Sequence, residues 1–362
     1  MAKIEILQGN VFDKVKELKD NSIDCVVTSP PYWGLRDYGT ATYKGGDSNC
    51  KHTITDGIVD NKNNKLIERP DRSSDKKNCV KCGAIRIDDQ LGLEPTYQEH
   101  IKNIVNLFKE IKPKLKDSAT IWLNYGDSYA TTVNGTKVKN MKKNGVGRKG
   151  DDRAFVDKPF STIQDSLKPK DLVMIPNRIA IALQDDGWWI RSEIIWHKPN
   201  PMPESIKDRP TSSHEKIWLI TKSKNYYYDH ESIKEPIKNS SKIRLNQNIE
   251  NQKGSTRANG GMKSNGNMKA VGYEKRNKRN VWTVSTKPCK EAHFATFPKD
   301  LIEPCIKAGC PEGGIVLDPF GGSGTTGIVA SLNNRKSILI ELNKNYIEIA
   351  NKRIEKEVGL FI

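Results

Sequence analysis

A glycine-rich turn between two strand-like segments constrains the fold of this chain most strongly. Residues 315–317 are apolar, the turn Gly-Gly-Ser-Gly follows at residues 321–324, and residues 325–332 have the spacing of a helix. A second apolar strand at residues 337–342 and a helix at residues 346–354 complete the unit. Strand, tight turn, helix and strand in this order are typical of the nucleotide-binding half of a doubly wound sheet. The sequence therefore predicts an α/β fold with a mostly parallel sheet.

Other segments of the chain have the patterns of further strands and helices. Strands are predicted at residues 4–7, 24–28, 120–123, 190–196 and 217–221. Helices are predicted at residues 11–18, 100–111 and 175–184. Three polar stretches, at residues 44–77, 131–158 and 236–280, separate these elements and are expected to form long loops.

The glycine turn has the features of a binding site for an adenosine-containing cofactor. Its glycines let the backbone approach a ligand, and the following helix begins with unpaired N–H groups. Glu341 ends the next strand, where a carboxylate can accept hydrogen bonds from ribose hydroxyls. The lysine that a Walker A loop carries after its glycines is absent, which argues against ATP. The alternative is a purely structural turn with a surface glutamate.

A proline-rich loop, Ser29-Pro30-Pro31-Tyr32, follows the predicted strand at residues 24–28. Prolines stiffen the loop and remove N–H donors, so the loop presents mainly carbonyl acceptors. Rigid acceptors can hold both hydrogens of an –NH₂ group and orient its lone pair toward an electrophile, and Tyr32 can stack on a planar base. The alternative is a proline-rich turn with a buried tyrosine.

Two segments resemble motifs of the amino-DNA methyltransferases. TSPPYWGLRDYG at residues 28–39 is similar to motif IV, and LDPFGGSGTTG at residues 317–327 is similar to motif I. The catalytic loop precedes the cofactor turn, which resembles the β group, a circular permutation of the Rossmann-like methyltransferase sheet. The resemblance implies transfer of a methyl group from S-adenosylmethionine to an exocyclic amine of a base in duplex DNA, with the base rotated out of the helix.

The resemblance also assigns roles to individual residues. It makes Ser29, Pro30, Pro31 and Tyr32 the catalytic residues, with Ser29 and Pro30 as acceptors and Tyr32 stacked on the base. The segment at residues 292–298 is similar to motif X, which packs around the methionine part of the cofactor, and residues 8–10 resemble the loop that contacts its adenine. The S-adenosylmethionine ligands implied are Asn10, Phe297, Asp318, Phe320, Gly322, Gly324, Thr325 and Glu341.

The first residue of the proline-rich loop favours one target base. In the family, Ser before Pro-Pro-Tyr is commoner in enzymes that act on cytosine N4, and Asp is commoner in those that act on adenine N6. Ser29 therefore favours cytosine N4, with adenine N6 as the alternative. The loop contains no cysteine, which disfavours methylation of cytosine C5. Methylation of RNA or of a protein amide, and a DNA-binding protein without catalysis, are remoter alternatives.

Charge points to a polyanionic partner. The formal net charge is +16, and residues 236–280 hold eleven Lys or Arg against two Glu. This stretch lies where the family resemblance places the target-recognition region, although a solvated loop would have a similar composition. Double-stranded DNA is the expected partner, and a cognate restriction endonuclease is a further candidate.

Two pairs of metal-ligand residues flank the first polar stretch. Cys50-x-His52 is followed by Cys79-x-x-Cys82-Gly83, which matches the spacing of a structural zinc knuckle. Zinc would stabilise an insertion that has almost no apolar core of its own. The alternative is four unconnected loop residues.

These patterns together predict the organisation of the chain. Residues 1–43 and 91–224 are expected to form the catalytic part of the methyltransferase domain, and residues 286–362 its cofactor-binding part. Residues 44–90 are the expected zinc-binding insertion and residues 225–285 the target-recognition region. The seven cysteines, the absence of a signal-peptide core and the absence of a membrane-length apolar run predict a cytoplasmic protein.

Overall fold

An eight-stranded sheet forms the centre of the protein. The computed structural model describes residues 2–50, 57–60, 65–68, 78–79, 81–131, 156–164, 166–237, 239, 274–287 and 296–359. The strands of the main sheet are β1 (Ile4–Gln8), β2 (Ile23–Thr28), β3 (Leu115–Tyr125), β4 (Trp189–His197), β5 (His214–Thr221), β6 (Val281–Thr283), β7 (Ile315–Asp318) and β8 (Lys336–Glu341).

The strand order across the main sheet is β1-β8-β7-β2-β3-β5-β4-β6. The first five strands of this order run parallel, and β5 is antiparallel to both β3 and β4. Every residue of β2 is buried, and Val26 pairs with Leu317 of β7 and with Ile121 of β3. The carboxyl ends of β2 and β7 therefore lie side by side, at the edge where parallel sheets bind their ligands.

Six α-helices accompany the sheet in the described part of the chain. They are α1 (Val11–Glu17), α2 (Tyr97–Ile111), α3 (Ile175–Asp185), α4 (Lys299–Gly309), α5 (Thr325–Leu332) and α6 (Lys344–Val358). Helix α2 contacts α1 and α3, whereas α5 contacts α4 and α6, so the helices form two layers. Two helical layers on a mostly parallel sheet define the doubly wound α/β fold, and the predicted fold class is confirmed.

Helix α2 shows why these segments form helices. Thr96 caps its start by accepting a hydrogen bond from the backbone N–H of Glu99. Apolar side chains then recur with helical spacing and are buried, at Ile104, Leu107, Phe108 and Ile111. Burial of each such side chain contributes about 1.5–3 kcal/mol.

No helix among the described residues has the length and apolar character that crossing a bilayer requires.

Helix α4 has no counterpart among the predicted helices. Pro304 lies inside it and interrupts the helical pattern, because proline lacks the N–H that a helix interior uses. The helix nevertheless buries Leu301, Ile302, Cys305 and Ile306 against the sheet layer. Tertiary packing therefore outweighs the local penalty of the proline.

Short strand pairs lie outside the main sheet. Arg36–Asp37 pairs with Val156–Asp157, Thr42–Lys44 with Ile85–Ile87, and Gly57–Asp60 with Lys65–Glu68. Residues 228–279 form a separate compact unit, in which Glu235–Pro236 pairs with Lys275–Arg276. Within that unit Glu235 accepts hydrogen bonds from Arg276 and Arg279 at 2.9 and 2.7 Å. The functional roles that the sequence predicts for five segments stay predictions, namely those of residues 1–43, 44–90, 91–224, 225–285 and 286–362.

Candidate active site

A cavity of about 580 Å³ lies at the carboxyl edge of β2 and β7. This volume is within the range of about 300–1,000 Å³ that small-molecule sites occupy. The cavity is lined by both the proline-rich loop and the glycine turn, so it joins segments from the two ends of the chain. The predicted site residues in its lining are Ser29, Pro30, Pro31, Tyr32, Phe297, Asp318, Phe320, Gly322, Thr325 and Glu341.

Asp318 connects the two segments. Its carboxylate accepts hydrogen bonds from the Thr28 hydroxyl at 2.7 Å, the Thr326 hydroxyl at 2.6 Å and the Phe320 N–H at 3.1 Å. Burial raises the pKa of Asp318 to about 6, and these hydrogen bonds oppose that rise. Since Thr28 directly precedes Ser29, one side chain positions both the proline-rich loop and the glycine turn.

Glu341 lies at the end of β8, as the sequence predicts. Its two carboxylate oxygens accept hydrogen bonds from the backbone N–H groups of Gly322 and Asn343, both at 2.8 Å. Burial raises the pKa of Glu341 to about 7 despite these donors. The carboxylate is thus held against the glycine turn at the wall of the cavity, where a ribose could reach it.

The glycine turn is supported by a buried arginine that the sequence analysis did not identify. The Arg353 guanidinium, on α6, donates to the Ser323 carbonyl at 2.7 Å, to the Ser323 hydroxyl at 2.6 Å and to the Thr325 hydroxyl at 3.0 Å. Gly324 adopts a left-handed φ of 79°, and a Cβ there would lie 3.1 Å from that of Ala350. Gly324 is therefore required for helix packing, and it is not among the residues that line the cavity.

Two other predicted cofactor contacts have different surroundings. Asn10 is the N-cap of α1, and its side chain accepts a hydrogen bond from the Phe12 N–H at 2.8 Å. Its neighbours Gly9 and Val11 line the cavity, but Asn10 does not, so its cofactor contact stays a prediction. Phe297 lines the cavity, whereas residues 292–295 of the same motif lie outside the described residues.

A series of hydrogen bonds runs from the proline-rich loop to an acidic residue on β5. The Ser29 hydroxyl donates to the Tyr32 hydroxyl at 3.2 Å, and the Tyr32 hydroxyl donates to Glu215 Oε2 at 2.8 Å. Asn124 donates to the same oxygen at 3.1 Å, and Lys198 forms an ion pair with the other oxygen of Glu215. Burial and the neighbouring Glu215 raise the pKa of Tyr32 well above its usual range, so the phenol keeps its proton.

A second network, of hydrogen bonds between buried residues, supports the same loop. The Tyr125 ring stacks on the Tyr32 ring at 4.4 Å between centroids, and its hydroxyl accepts a hydrogen bond from the Trp33 N–H at 2.8 Å. His100 bridges the Tyr125 hydroxyl and Glu94, with both contacts at 2.8 Å. These contacts hold the proline-rich loop in place without any ligand.

Three of the four predicted metal ligands lie together. The Sγ atoms of Cys50, Cys79 and Cys82 are within 4.8 Å of one another, and those of Cys50 and Cys79 are 3.9 Å apart. Gly83 has a left-handed φ of 71° and donates to the Cys79 carbonyl at 2.8 Å, which closes a tight turn around the thiols. His52 lies outside the described residues.

Comparisons with solved structures support the fold. The PvuII DNA methyltransferase, described as cytosine-N4-specific, matches 98% of this chain and 86% of its own with a TM-score of 0.56 at 15% identity. TTHA0409 from Thermus thermophilus, crystallised with S-adenosyl-L-methionine, matches 100% of this chain and 96% of its own at a TM-score of 0.50 and 17% identity. At these identities the matches show a shared fold.

Sequence relatives are much more similar. The chain is 38% identical to the type II methyltransferase M.Cfr9I of Citrobacter freundii, over 97% of this chain and 88% of that protein. It is 37% identical to M.SmaI of Serratia marcescens, over 97% of this chain and 90% of that protein. The family model of the N6 and N4 methyltransferases, described as DNA methylase, matches residues 23–352. The predicted resemblance is confirmed, and the chain belongs to this DNA methylase family.

Proposed function

We propose that the protein transfers a methyl group from S-adenosylmethionine to the N4 amine of cytosine in a specific duplex DNA sequence. One observation carries the proposal. A single cavity is lined on one side by the amine-binding loop, with Ser29 and Tyr32, and on the other by the glycine turn, with Phe320 and Glu341. A donor and an acceptor held in one cavity react as an oriented pair, which is the main requirement of direct methyl transfer.

The cofactor side of the cavity fits S-adenosylmethionine. Glu341 supplies a carboxylate for the ribose hydroxyls, and the glycine turn supplies backbone without side chains that would collide with the ligand. Phe297 and Phe320 supply apolar surface in the same lining. When bound, S-adenosylmethionine supplies an electrophilic methyl group, and the remaining requirements fall on residues of this chain.

The amine side of the cavity fits an exocyclic –NH₂ group. The Ser29 hydroxyl oxygen and the Pro30 carbonyl would accept the two amine hydrogens, and Tyr32 would pack against the base. The stacking of Tyr32 on Tyr125 and the bond from Trp33 keep these acceptors in place. Rotation of the base out of the duplex costs a few kcal/mol, so fixed acceptors reduce the remaining barrier.

Cytosine N4 is favoured over adenine N6 by Ser29, since family members with Asp in this position more commonly methylate adenine. The PvuII enzyme, which shares the fold, is described as cytosine-N4-specific. The test is to express the chain in cells that lack other methyltransferases, digest their DNA to nucleosides and identify the product by mass. N4-methylcytosine is expected, with a Tyr32→Ala variant as the inactive control. N6-methyladenine as the sole product would overturn the cytosine assignment.

The proposed macromolecular partner is double-stranded DNA, read by the basic stretch at residues 236–280. Most of this stretch lies outside the described residues, so the support comes from its composition and from the net charge of +16. A restriction endonuclease with the same recognition sequence is a further proposed counterpart, because M.Cfr9I and M.SmaI are named type II methyltransferases. Sequencing the same DNA with modified bases identified directly would give the recognition sequence.

We further propose that Cys50, Cys79 and Cys82 bind a structural zinc ion, with His52 as the fourth ligand. Tetrahedral zinc with Zn–S bonds of about 2.3 Å places ligand sulfurs about 3.8 Å apart, and the Cys50–Cys79 separation of 3.9 Å fits this geometry. Three thiols in close contact are also an appropriate donor set for zinc. Metal analysis of the purified protein is expected to give one zinc per chain, and its absence after purification without chelators would contradict the proposal.

A further inference from the structure

We propose that Glu215 is a positioning residue that orients the catalytic hydroxyl and receives the proton that the target amine loses. Glu215 acts through Tyr32 and Ser29 and does not itself contact the reacting nitrogen. The inference rests on the proposed methyl transfer to an amine. It assigns a role to a residue that no sequence motif of the catalytic loop contains.

Glu215, the last residue of the series, fixes the direction of both hydrogen bonds between Ser29, Tyr32 and Glu215. A carboxylate can only accept, so the Tyr32 hydroxyl, 2.8 Å from Glu215 Oε2, must donate its hydrogen to it. The Tyr32 oxygen is then an acceptor for the hydrogen of Ser29, whose Oγ lies 3.2 Å away. Ser29 therefore presents lone pairs, and no hydrogen, to a ligand amine in the cavity. Without the carboxylate, the Ser29 hydroxyl could point its hydrogen at the amine.

The surroundings of Glu215 hold it in this role. Glu215 follows the first residue of β5, and Asn124 on the neighbouring β3 donates to the oxygen that also binds Tyr32, at 3.1 Å. Lys198, which directly follows β4, pairs with the other oxygen and supplies the opposite charge. The side chains of Lys198 and Glu215 are only 19% and 17% exposed, so solvent screens the pair weakly. Both residues line the cavity.

The hydrogen bonds from Ser29 through Tyr32 to Glu215 also provide a path for the proton that the reaction releases. The amine nitrogen forms a bond to the methyl carbon while the carbon–sulfur bond breaks and leaves its electron pair on sulfur. The positive charge is then on nitrogen, which must lose one proton. That proton passes to Ser29 Oγ as the Ser29 hydrogen moves to the Tyr32 oxygen and the Tyr32 hydrogen moves to Glu215. The product amine and both hydroxyls end neutral, and Glu215 later returns the proton to water.

The test is a comparison of Glu215→Gln, Tyr32→Phe and the double variant in single-turnover methylation of a duplex that contains the recognition sequence. Each single variant is expected to lose about 100-fold in rate, which is typical for removal of a proton-transfer group. The double variant should be no slower than the single variants, because both substitutions interrupt the same proton path. Affinities for DNA and for S-adenosylmethionine should change by less than about threefold. Glu193→Gln is the matched control, since Glu193 pairs with Lys216 on the same sheet but is outside the cavity lining.

A readout beyond rate distinguishes proton transfer from a merely structural role. Formate is expected to restore part of the rate in Glu215→Ala, by occupying the vacated carboxylate position, and to leave Tyr32→Phe unchanged. If Glu215→Gln unfolds, Tyr32→Phe and formate rescue of Glu215→Ala still decide the question. Rates within about threefold of wild type, or additive losses without rescue, would overturn the inference. A wild-type chain that methylates no DNA would instead refute the proposed function on which the inference rests.

Discussion

The pKa of Glu341 predicts how cofactor affinity depends on pH. Burial raises this pKa to about 7, above the ordinary value of 4.5, because the charged form loses more hydration than the Gly322 and Asn343 N–H groups replace. Ribose hydroxyls donate hydrogen bonds, so they bind the ionised carboxylate more tightly than the protonated one. The affinity for S-adenosylmethionine should therefore fall as the pH decreases through 7.

The size of this effect follows from the fraction of protein with an ionised Glu341. A carboxyl with a pKa of about 7 is about nine-tenths ionised at pH 8 and about one-tenth ionised at pH 6. If only the ionised form binds, the dissociation constant rises about tenfold between these pH values, which corresponds to about 1.4 kcal/mol. The stability of the protein without cofactor has the opposite dependence on pH. Since the pKa of Glu341 is higher in the folded state, Glu341 stabilises the fold below pH 4.5, and this contribution to the free energy of unfolding is lost as the pH rises through about 7.

Isothermal titration calorimetry of S-adenosylmethionine binding between pH 6 and pH 8 measures the effect directly. Glu341→Gln is the control, because its amide still accepts a hydrogen bond but does not titrate. The variant should bind more weakly at pH 8 and lose most of the pH dependence. The residual slope would come from Asp318, whose pKa is raised by burial to about 6, and from the ligand itself. A wild-type dissociation constant that is flat over this range, or an equal slope in Glu341→Gln, would refute the reasoning.

Three substitutions test other parts of the site. In Gly126→Ala, the new Cβ would lie 2.7 Å from Tyr32 Cε2, so displacement of the ring should lower the methylation rate about tenfold or more. Calorimetry should show unchanged cofactor affinity, and an unaltered methylation rate would contradict this prediction. Arg353→Met leaves the acceptors of Ser323 and Thr325 without their donor. It should lower the free energy of unfolding by about 1–3 kcal/mol in urea titrations, and an unchanged free energy would contradict this role. Cys79→Ser should abolish stoichiometric zinc in metal analysis but leave S-adenosylmethionine binding intact, and retained zinc would exclude Cys79 as a ligand.

The sequence was most informative where local pattern and packing agree. Helix α5 (Thr325–Leu332) has the predicted bounds, because the glycine turn fixes its start and its apolar residues are buried almost all round. Strand β3 (Leu115–Tyr125) is longer than predicted, since its first half contains Lys116, Asp117 and Ser118 and lacks an apolar pattern. At the start of the strand Leu115 pairs with Ile23 of β2, and at its end Asn124 and Tyr125 pair with Ile217 and Lys216 of β5.

The proline-rich loop and the glycine turn could be singled out from sequence because each is a compact motif, and both line the cavity. Their supporting residues could not, since the partners are far apart in the chain. Glu215 lies 183 positions from Tyr32, and Arg353 lies 30 positions from Ser323. No short-range pattern relates such residues, and only the topology of the sheet brings them together. His100 had a weak signal, as a buried polar residue on the apolar face of α2.

The hydrogen bond between Thr28 and Asp318 explains why the segment order of this chain is compatible with its chemistry. The two residues are 290 positions apart, yet they meet because β2 and β7 are neighbours in the sheet. What the reaction requires is this lateral contact between strand ends, whatever loops connect them. A rearranged gene that encoded residues 296–359 ahead of residues 2–50 would recreate the same pocket, provided that both strands kept their places. Evolution could thus shuffle the linear order of such enzymes and leave their catalysis untouched.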